Sequence, residues 1–377
     1  MISYIIWNAN PVIYAFNSGS FALRWYGLLF ALGFLISQQI LYYMFRKEGK
    51  PDKDVDTLTI YMVVATIIGA RLGHIIFYEP EMFLNDPWGV FMPFQLFPEF
   101  KLTGLSGLAS HGAAFGILFG LWLYSRKRKP GQNYMQILDR IVILVTLTGA
   151  LIRMGNYFNS EIIGKPTDSP FGVVFIGRVT EALEGQEGDT NPVETIGVIK
   201  NQALPEGANG RVPISIYVFF KPGIDQITAD NFVTQDAQFY LTRLSEYVDQ
   251  PALTPVEYKF ETEASGNLVA RIETFGIARH PAQLYESISC VLLFAFLFWY
   301  WSRYKEKLPE GRIFGIFMIV LWTLRFLYEF LKENQVSFED NLTLNMGQIL
   351  SIPLVLVGIL VLIRSYQKPK AHLDTVE

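Results

Sequence analysis

The stretch "IVILVTLTGALIRMGNYFNSEIIGKP", residues 141–166, is the most informative part of the sequence. Its first half is apolar, as in a membrane-spanning helix. Arg153, Asn156, Asn159 and Glu161 then follow within nine residues. An ionisable side chain inside a membrane helix costs about 2.5–3.5 kcal/mol, so such residues are functional candidates by default. The stretch therefore predicts a membrane helix that ends in a polar site.

The composition of the whole chain is that of a membrane protein. Of 377 residues, 51% are hydrophobic and only 18% are charged, whereas soluble domains carry about 25% charged residues. The net charge is −4, with one short basic run at 126–129, which argues against a nucleic-acid partner. A single cysteine, Cys290, excludes an internal disulfide and a paired-cysteine metal site. The four histidines are too scattered to predict a metal site.

Seven apolar segments are long enough to cross about 30 Å of hydrocarbon. They are residues 22–45, 57–78, 106–124, 137–158, 281–301, 313–331 and 347–365. Lysine and arginine are concentrated in the loops on one side, and the opposite loops are acidic or neutral. Because basic loops stay in the cytoplasm, we expect the N-terminus outside and the C-terminus in the cytoplasm. The first twenty residues lack a cationic start, so we expect no cleaved signal peptide.

The one large loop, residues 159–280, differs in composition from the rest. Stretches such as "RVPISIYVFF" (211–220) alternate with period two, which predicts short antiparallel strands. A hairpin is expected to turn near Gly266-Asn267. We therefore expect an all-α polytopic membrane protein with an inserted β-rich extracytoplasmic domain. Its predicted parts are 1–158 (four helices), 159–280 (the β-rich domain) and 281–377 (three helices and a cytoplasmic tail).

Four arginines lie near the outer ends of the predicted spans, namely Arg24, Arg71, Arg153 and Arg325. Only Glu161 and Glu329 are near enough in sequence to pair with them, and Arg325–Glu329 is also compatible with a purely structural ion pair. The surplus positive charge predicts a bound anion. In a membrane that anion is a phospholipid phosphate, which arginine binds with two parallel hydrogen bonds.

Neighbouring amides and an imidazole complete the predicted site. Asn156, Asn159 and His111 offer hydrogen bonds to a glycerol headgroup or to a peptide backbone. His111 follows a glycine-rich segment, where close helix packing explains the glycines but not the imidazole. We therefore expect a lipid-headgroup site at the end of the fourth span.

Six motifs together resemble one known family. They are "GARLGHIIFY" (69–78), "SHGAAFGI" (110–117), "GNYFNSEIIGKP" (155–166), "RHPAQLYES" (279–287), "LRFLYEFLKE" (324–333) and "NMGQILSIP" (345–353). The chain is similar in all seven spans to bacterial prolipoprotein diacylglyceryl transferases. The resemblance implies a multi-pass enzyme of the bacterial cytoplasmic membrane, acting as a monomer. Such an enzyme moves the diacylglyceryl group of phosphatidylglycerol to the lipobox cysteine of a preprolipoprotein, releases glycerol phosphate and needs no cofactor or metal.

The resemblance also implies roles for individual residues. The catalytic candidates are His111, Glu161, Arg325 and Glu329, and the substrate-binding candidates are Arg153, Asn156, Tyr26, Arg71 and Gly164. His111 is a candidate base for the substrate thiol, and orientation of the headgroup is an equally open role. Two positions depart from the family pattern. Ala113 stands where the family has a glycine. Leu321 stands where the family often has a tyrosine, so Trp322 or Tyr328 would have to take over the role of its hydroxyl.

Two other functions fit parts of the sequence. A transporter or flippase for anionic lipids would also use intramembrane arginines, but we find no internal repeat of the kind that many transporters show. A serine acyltransferase would use Ser106 or Ser110 beside His111, but "GLSGLASHG" (104–112) lacks the nucleophile-elbow pattern. The transferase is the function that the sequence favours.

Overall fold

The computed structural model describes residues 4–16, 21–85, 94–95, 101–102, 109–185, 191–205, 207–263, 266–333 and 343–367. Its α-helices are α1 (Trp25–Lys47), α2 (Asp52–Tyr78), α3 (Met82–Asn85), α4 (Ser110–Ser125), α5 (Tyr134–Phe158), α6 (Gly177–Glu184), α7 (Gln226–Asn231), α8 (Gln238–Arg243), α9 (Ala282–Tyr304), α10 (Arg312–Tyr328) and α11 (Met346–Gln367). Its strands are β1 (Ile5–Trp7), β2 (Val12–Phe16), β3 (Phe21–Arg24), β4 (Phe94–Gln95), β5 (Lys101–Leu102), β6 (Val173–Phe175), β7 (Val193–Lys200), β8 (Arg211–Phe220), β9 (Tyr258–Thr262) and β10 (Leu268–Arg279).

Six of the described helices, α1, α2, α5, α9, α10 and α11, are long and apolar enough to cross a membrane. A membrane forces the backbone to satisfy its own hydrogen bonds, which a continuous helix does. The chain is therefore a polytopic membrane protein. The third predicted span corresponds to α4, which has 16 residues and is shorter than the other six. The predicted start of that span, at residue 106, lies outside the described residues.

The predicted start of the first span is wrong. The first helix begins at Trp25 rather than at residue 22, because residues 21–24 form β3, which pairs with β2. Arg24 is consequently a strand residue, and its guanidinium lies 3.9 Å from the Glu181 carboxylate. The sixth predicted span, residues 313–331, corresponds to α10 together with the 3-10 turn at Glu329–Leu331, which form one candidate span from Arg312 to Leu331.

The chain divides into two compact units. The first consists of Met1–Gly33, Thr148–Leu292 and Leu321–Pro353, and the second of Phe34–Leu147, Leu293–Val320 and Leu354–Glu377. Five long helices, α1, α5, α9, α10 and α11, each contribute residues to both units. The division into residues 1–158, 159–280 and 281–377 stays a prediction.

A six-stranded sheet forms the core of the first unit. Its order is β1-β6-β10-β8-β7, and β9 also pairs with β10. In β8 the alternate residues from Val212 to Phe220 are buried, as the period-two pattern predicts, but Pro213 and Ser215 between them are buried as well. The β9–β10 hairpin is confirmed, with Gly266 at φ +89° beside its turn. The N-terminal β1 pairs with β6 in parallel, so the sheet also includes a strand from before α1 and is not wholly antiparallel.

In the second unit, helices α2 and α4 touch backbone to backbone. A Cβ atom added to Gly112 would lie 2.1 Å from the carbonyl oxygen of Gly69, so only glycine fits there. The Ala109 N–H donates a hydrogen bond to the Ala70 carbonyl at 3.0 Å. This contact fixes the start of α4, whose first turn carries His111.

The second unit also contains a buried ion network, called here the Glu48 network, of Glu48, Lys50, Arg140 and Trp301. The Glu48 carboxylate is fully buried and pairs with Lys50 at 2.5 Å and with Arg140 at 2.9 Å. The indole N–H of Trp301 donates to the same carboxylate at 2.7 Å. A buried carboxylate is stable only with such partners, so this network anchors the loop between α1 and α2.

Candidate functional site

Five charged side chains of alternating sign form a connected set in the first unit, called here the charge cluster. The Arg153 Nε atom pairs with one carboxylate oxygen of Glu286, and the Lys332 amine pairs with the other. The Lys332 amine also lies 3.3 Å from the Glu329 carboxylate. Arg325 Nε completes the set, 3.9 Å from Glu329. One arginine thus lies at each end, with two carboxylates and a lysine between them.

Packing between helices brings these residues together. Arg153 lies near the end of α5 and Glu286 near the start of α9. The Ser287 hydroxyl donates to the Ala150 carbonyl at 2.9 Å, which joins α5 and α9 one turn from the Arg153–Glu286 pair. Glu329 and Lys332 lie in and just after the 3-10 turn that ends α10. The charge cluster therefore depends on three helix ends that are distant in sequence.

Burial differs along the charge cluster. The side chains of Glu286 and Lys332 are 10% and 4% exposed, whereas those of Arg153 and Arg325 are 23% and 40% exposed. Three cations meet two carboxylates, so the cluster carries one net positive charge. The excess charge and the exposed arginines suit an anion such as a phosphate. Among the described residues, no three His, Cys, Asp or Glu side chains are grouped as metal ligands would be.

The carboxylate that pairs with Arg153 was not among those predicted. From the sequence only Glu161 and Glu329 are near enough to the arginines, whereas Glu286 pairs with Arg153 from another helix. Sequence reasoning missed both Glu286 and Lys332. The surplus of positive charge nevertheless remains, because Lys332 adds a cation that the sequence argument did not count. Glu286 lies within the motif "RHPAQLYES", which was the available signal.

A second polar group surrounds Glu161, after the end of α5. Asn156 and Asn159 each donate an amide hydrogen bond to its carboxylate, both at 3.4 Å. Arg178, from α6, binds the same carboxylate at 2.9 Å. Arg153 Nη1 is 3.5 Å from Asn156 Oδ1, which links this group to the charge cluster. The structure thus brings together Arg153, Asn156 and Glu161 as predicted, and adds Arg178, for which no sequence signal exists.

The turn that carries Glu161 has an unusual backbone. Ser160 and Ile162 have φ values of 52° and 56°, a region that side-chain-bearing residues rarely occupy, least of all a β-branched one. The Tyr247 hydroxyl donates to the Ser160 carbonyl at 3.1 Å and helps to hold the turn. Such strain persists only where the surroundings impose it, and it is found most often at functional sites.

Gly164 follows this turn, and close packing explains why a glycine stands there. A Cβ atom there would lie 2.5 Å from the His280 carbonyl and 2.8 Å from the Leu331 carbonyl. Its backbone N–H donates to the His280 carbonyl at 3.0 Å. Gly164 therefore lets the chain pass between two segments next to the charge cluster. Its predicted contact with substrate stays a prediction.

Tyr26 lies beside the end of α5, close to Arg153. A Cβ atom on Gly155 would be 2.9 Å from the Tyr26 ring, so the ring rests directly on the helix backbone. Gly155 stands between Arg153 and Asn156 in the sequence. The structure thus places Tyr26 with the first-unit site residues.

Two predicted site residues, Arg71 and His111, belong to the second unit. Arg71 is buried in α2, with Nη2 3.6 Å from the Met82 sulfur. His111 lies in the first turn of α4, and its side chain is exposed. Their roles stay predictions.

Tyr328 and Trp322 are the two candidates to replace the tyrosine that the family often has at the position of Leu321. The Tyr328 hydroxyl shares a hydrogen bond with the Ser289 hydroxyl of α9. The Arg325 guanidinium lies 5.7 Å from the centre of the Trp322 ring, within cation–π range. Trp322 therefore contacts the catalytic candidate directly, whereas Tyr328 binds a neighbouring helix.

The fold and the site define a class: a polytopic membrane protein with a charged site at converging helix ends. Comparison with known proteins then gives the family. The family model of prolipoprotein diacylglyceryl transferase matches residues 13–364. The phosphatidylglycerol–prolipoprotein diacylglyceryl transferase of Bacteroides fragilis is 33% identical, over 94% of this chain and 93% of its own length. Those of Chloroherpeton thalassium and Tolumonas auensis are 31% and 29% identical, over 97% and 98% of this chain and 96% and 100% of their own lengths. The chain belongs to the prolipoprotein diacylglyceryl transferase family and is a transferase.

Proposed function

We propose that the protein transfers the sn-1,2-diacylglyceryl group of phosphatidylglycerol to the lipobox cysteine thiol of a preprolipoprotein. The sulfur attacks a glycerol carbon, a thioether bond forms, and the carbon–oxygen bond to phosphate breaks with release of glycerol phosphate. The family match over nearly the whole chain carries this proposal. The charge cluster supports it, because its excess positive charge suits a phosphate that becomes the leaving group.

In this reaction Arg153 and Arg325 bind the phosphate and stabilise the charge that develops on it. Both guanidinium groups are partly exposed at the ends of the charge cluster. Glu329 orients Arg325. Glu161 orients Asn156 through one carboxylate oxygen, and Arg178 binds the other oxygen. The other proposed substrate-binding residues are Tyr26, Arg71 and Gly164.

The proton of the substrate thiol needs an acceptor. A free cysteine has a pKa of about 8.5, so a base increases the fraction of the reactive thiolate. His111 is the base in our proposal. His111→Gln is therefore expected to lower kcat and to leave the KM for phosphatidylglycerol unchanged. A raised KM with an unchanged kcat would instead assign His111 to headgroup orientation.

We further propose that the protein acts as a monomer in the bacterial cytoplasmic membrane, with seven spans that include α4. The basic loops then face the cytoplasm and the β-rich domain faces outwards. A reporter that is active only outside the cytoplasm should work when fused at residue 230 and fail at residue 128. The opposite pattern would overturn the proposed orientation.

One assay tests the reaction itself. Purified protein is incubated with phosphatidylglycerol labelled in its glycerol headgroup and with a peptide containing a lipobox cysteine. Release of labelled glycerol phosphate together with a thioether-linked peptide is the expected result. A peptide in which serine replaces the cysteine is the control, and it should release no label. Lipid movement across vesicles without thioether formation would favour the transporter alternative.

A further inference from the structure

Lys332 is the most deeply buried cation of the charge cluster. Only 4% of its side chain is exposed, and its amine contacts the carboxylates of Glu286 and Glu329 together. A backbone bridge between Gly164 and Lys332 fixes its position beside the turn that carries Glu161. Burying an ammonium group is costly unless carboxylates compensate for it, and here two do.

The two oxygens of Glu286 have different partners. One pairs with Nε of Arg153, and the other pairs with the Lys332 amine. Arg153 is therefore held through its Nε edge rather than through both of its outer nitrogens. Its Nη1 atom lies 3.5 Å from Asn156 Oδ1, a long contact that a phosphate oxygen can replace. The same lysine pairs with the Glu329 carboxylate, which also faces Arg325.

We propose that Lys332 is a positioning residue that keeps two carboxylates from closing on the two arginines. With Lys332 present, Glu286 and Glu329 each share their charge between a lysine and an arginine. Without it, Glu286 is free to bind Arg153 with both oxygens and to occupy the donors that the lipid phosphate needs. This inference rests on the proposed function, since it assumes that the arginines bind phosphatidylglycerol.

The proposal predicts a change in lipid binding rather than a general loss of stability. Lys332→Met is expected to raise the apparent KM for phosphatidylglycerol about tenfold or more, with a smaller fall in kcat. Lys332→Arg retains the charge and should stay within about threefold of the wild type. Lys50→Met in the Glu48 network is the matched control, because it also removes a buried lysine paired with a glutamate. It should lower the unfolding temperature and leave the KM unchanged.

A double variant gives the sharpest test. If Glu286 closes on Arg153 when Lys332 is absent, the additional change Glu286→Gln should release Arg153. Lys332→Met/Glu286→Gln should then have a KM about threefold or more below that of Lys332→Met alone. A purely structural role for Lys332 predicts the reverse, because the second substitution would only add damage.

All variants are compared in one detergent with labelled phosphatidylglycerol, saturating lipobox peptide and thermal unfolding of the same samples. If Lys332→Met does not fold, Lys332→Gln removes the charge while it retains a hydrogen-bonding group, and the same rise in KM is expected. An unchanged KM in the folded neutral variant, or a double variant no better than the single one, overturns the inference. Absence of label release by the wild-type protein would instead overturn the proposed function.

Discussion

The charge cluster and the Glu48 network both hold carboxylates between cations, and they differ in how far their arginines are exposed. Arg140 is 3% exposed, and its three nitrogens donate to Glu48, to the Gln136 carbonyl and to the Lys305 carbonyl. Arg153 and Arg325 are 23% and 40% exposed and pair through Nε, the inner nitrogen of the guanidinium. In one network every guanidinium nitrogen of the arginine donates to an acceptor in the protein, whereas the other has partly exposed arginines at both ends.

This difference distinguishes an ion network that stabilises the fold from one that suits a ligand. A buried pair whose donors are all satisfied has nothing left to bind, and its removal is expected to affect stability alone. In a cluster with excess charge and exposed donors, a ligand of opposite charge can bind to those donors. Substitutions in the two networks should therefore have different effects.

The largest effect is expected for Glu48→Gln. The substitution leaves the Arg140 charge buried without its carboxylate, and breaking a buried pair in this way costs about 3–5 kcal/mol. Thermal unfolding in detergent should show a clear fall in the midpoint, while the kcat/KM of the remaining folded protein stays close to that of the wild type. A selective loss of kcat/KM with normal stability would contradict the assignment of this network as structural.

Arg153→Lys should lower the activity and leave the stability close to that of the wild type. Lysine keeps the positive charge but cannot supply the planar pair of donors that arginine offers to a phosphate. A lost charge-assisted hydrogen bond of about 1.5–3 kcal/mol corresponds to roughly a 10- to 150-fold fall in kcat/KM. The transfer assay at saturating peptide measures it, with thermal unfolding as the control. Near-normal activity in well-folded protein would refute the phosphate contact.

Glu161→Gln should have a smaller effect on the same assay. The amide oxygen can still accept from Arg178 and Asn159, which share one carboxylate oxygen, so what is lost is the charge and the 3.4 Å hydrogen bond from Asn156 to the other oxygen. A net loss of about 0.5–1.5 kcal/mol corresponds to roughly a 2- to 12-fold fall in kcat/KM. If Glu161→Gln is more damaging than Arg153→Lys, then Glu161 does more than orient its neighbours.

The smallest effect concerns pH. Burial alone raises the pKa of Glu48, but the charges of Arg140 and Lys50 outweigh it and hold the pKa below the ordinary 4.5. A lowered folded-state pKa gives stability that is complete above pH 4.5 and is lost as the pH falls through the folded-state value. The difference in unfolding temperature between wild type and Glu48→Gln should therefore shrink below pH 4.5. A constant difference would show that the carboxylate charge contributes nothing.

What the sequence predicted well was local. The long apolar runs predicted the membrane helices, and the alternation in β8 and the turn near Gly266 predicted strands and a hairpin, because each pattern depends on near neighbours. Arg153, Asn156 and Glu161 were grouped correctly for the same reason, since they lie on one helix end and its following turn.

What the sequence did not predict depends on contacts between distant segments. The Arg153–Glu286 pair requires α5 and α9 to pack in one register, and Lys332 reaches Glu286 only because a 3-10 turn ends α10 where it does. Arg178 comes from the β-rich domain and lies in none of the sequence motifs. A charge count along the chain cannot include partners that three-dimensional packing supplies.

The parallel pairing of β1 with β6 has a consequence for how the protein is made. Residues 5–7 are synthesised about 170 residues before their partners at 173–175. At about 5–20 residues per second, a ribosome needs roughly 10 to 30 s to cover that distance. During this time the first strand has no sheet to join, and several membrane helices are made before it can pair. The assembly of this sheet is therefore set by the pace of translation and membrane insertion rather than by the intrinsic speed of strand pairing.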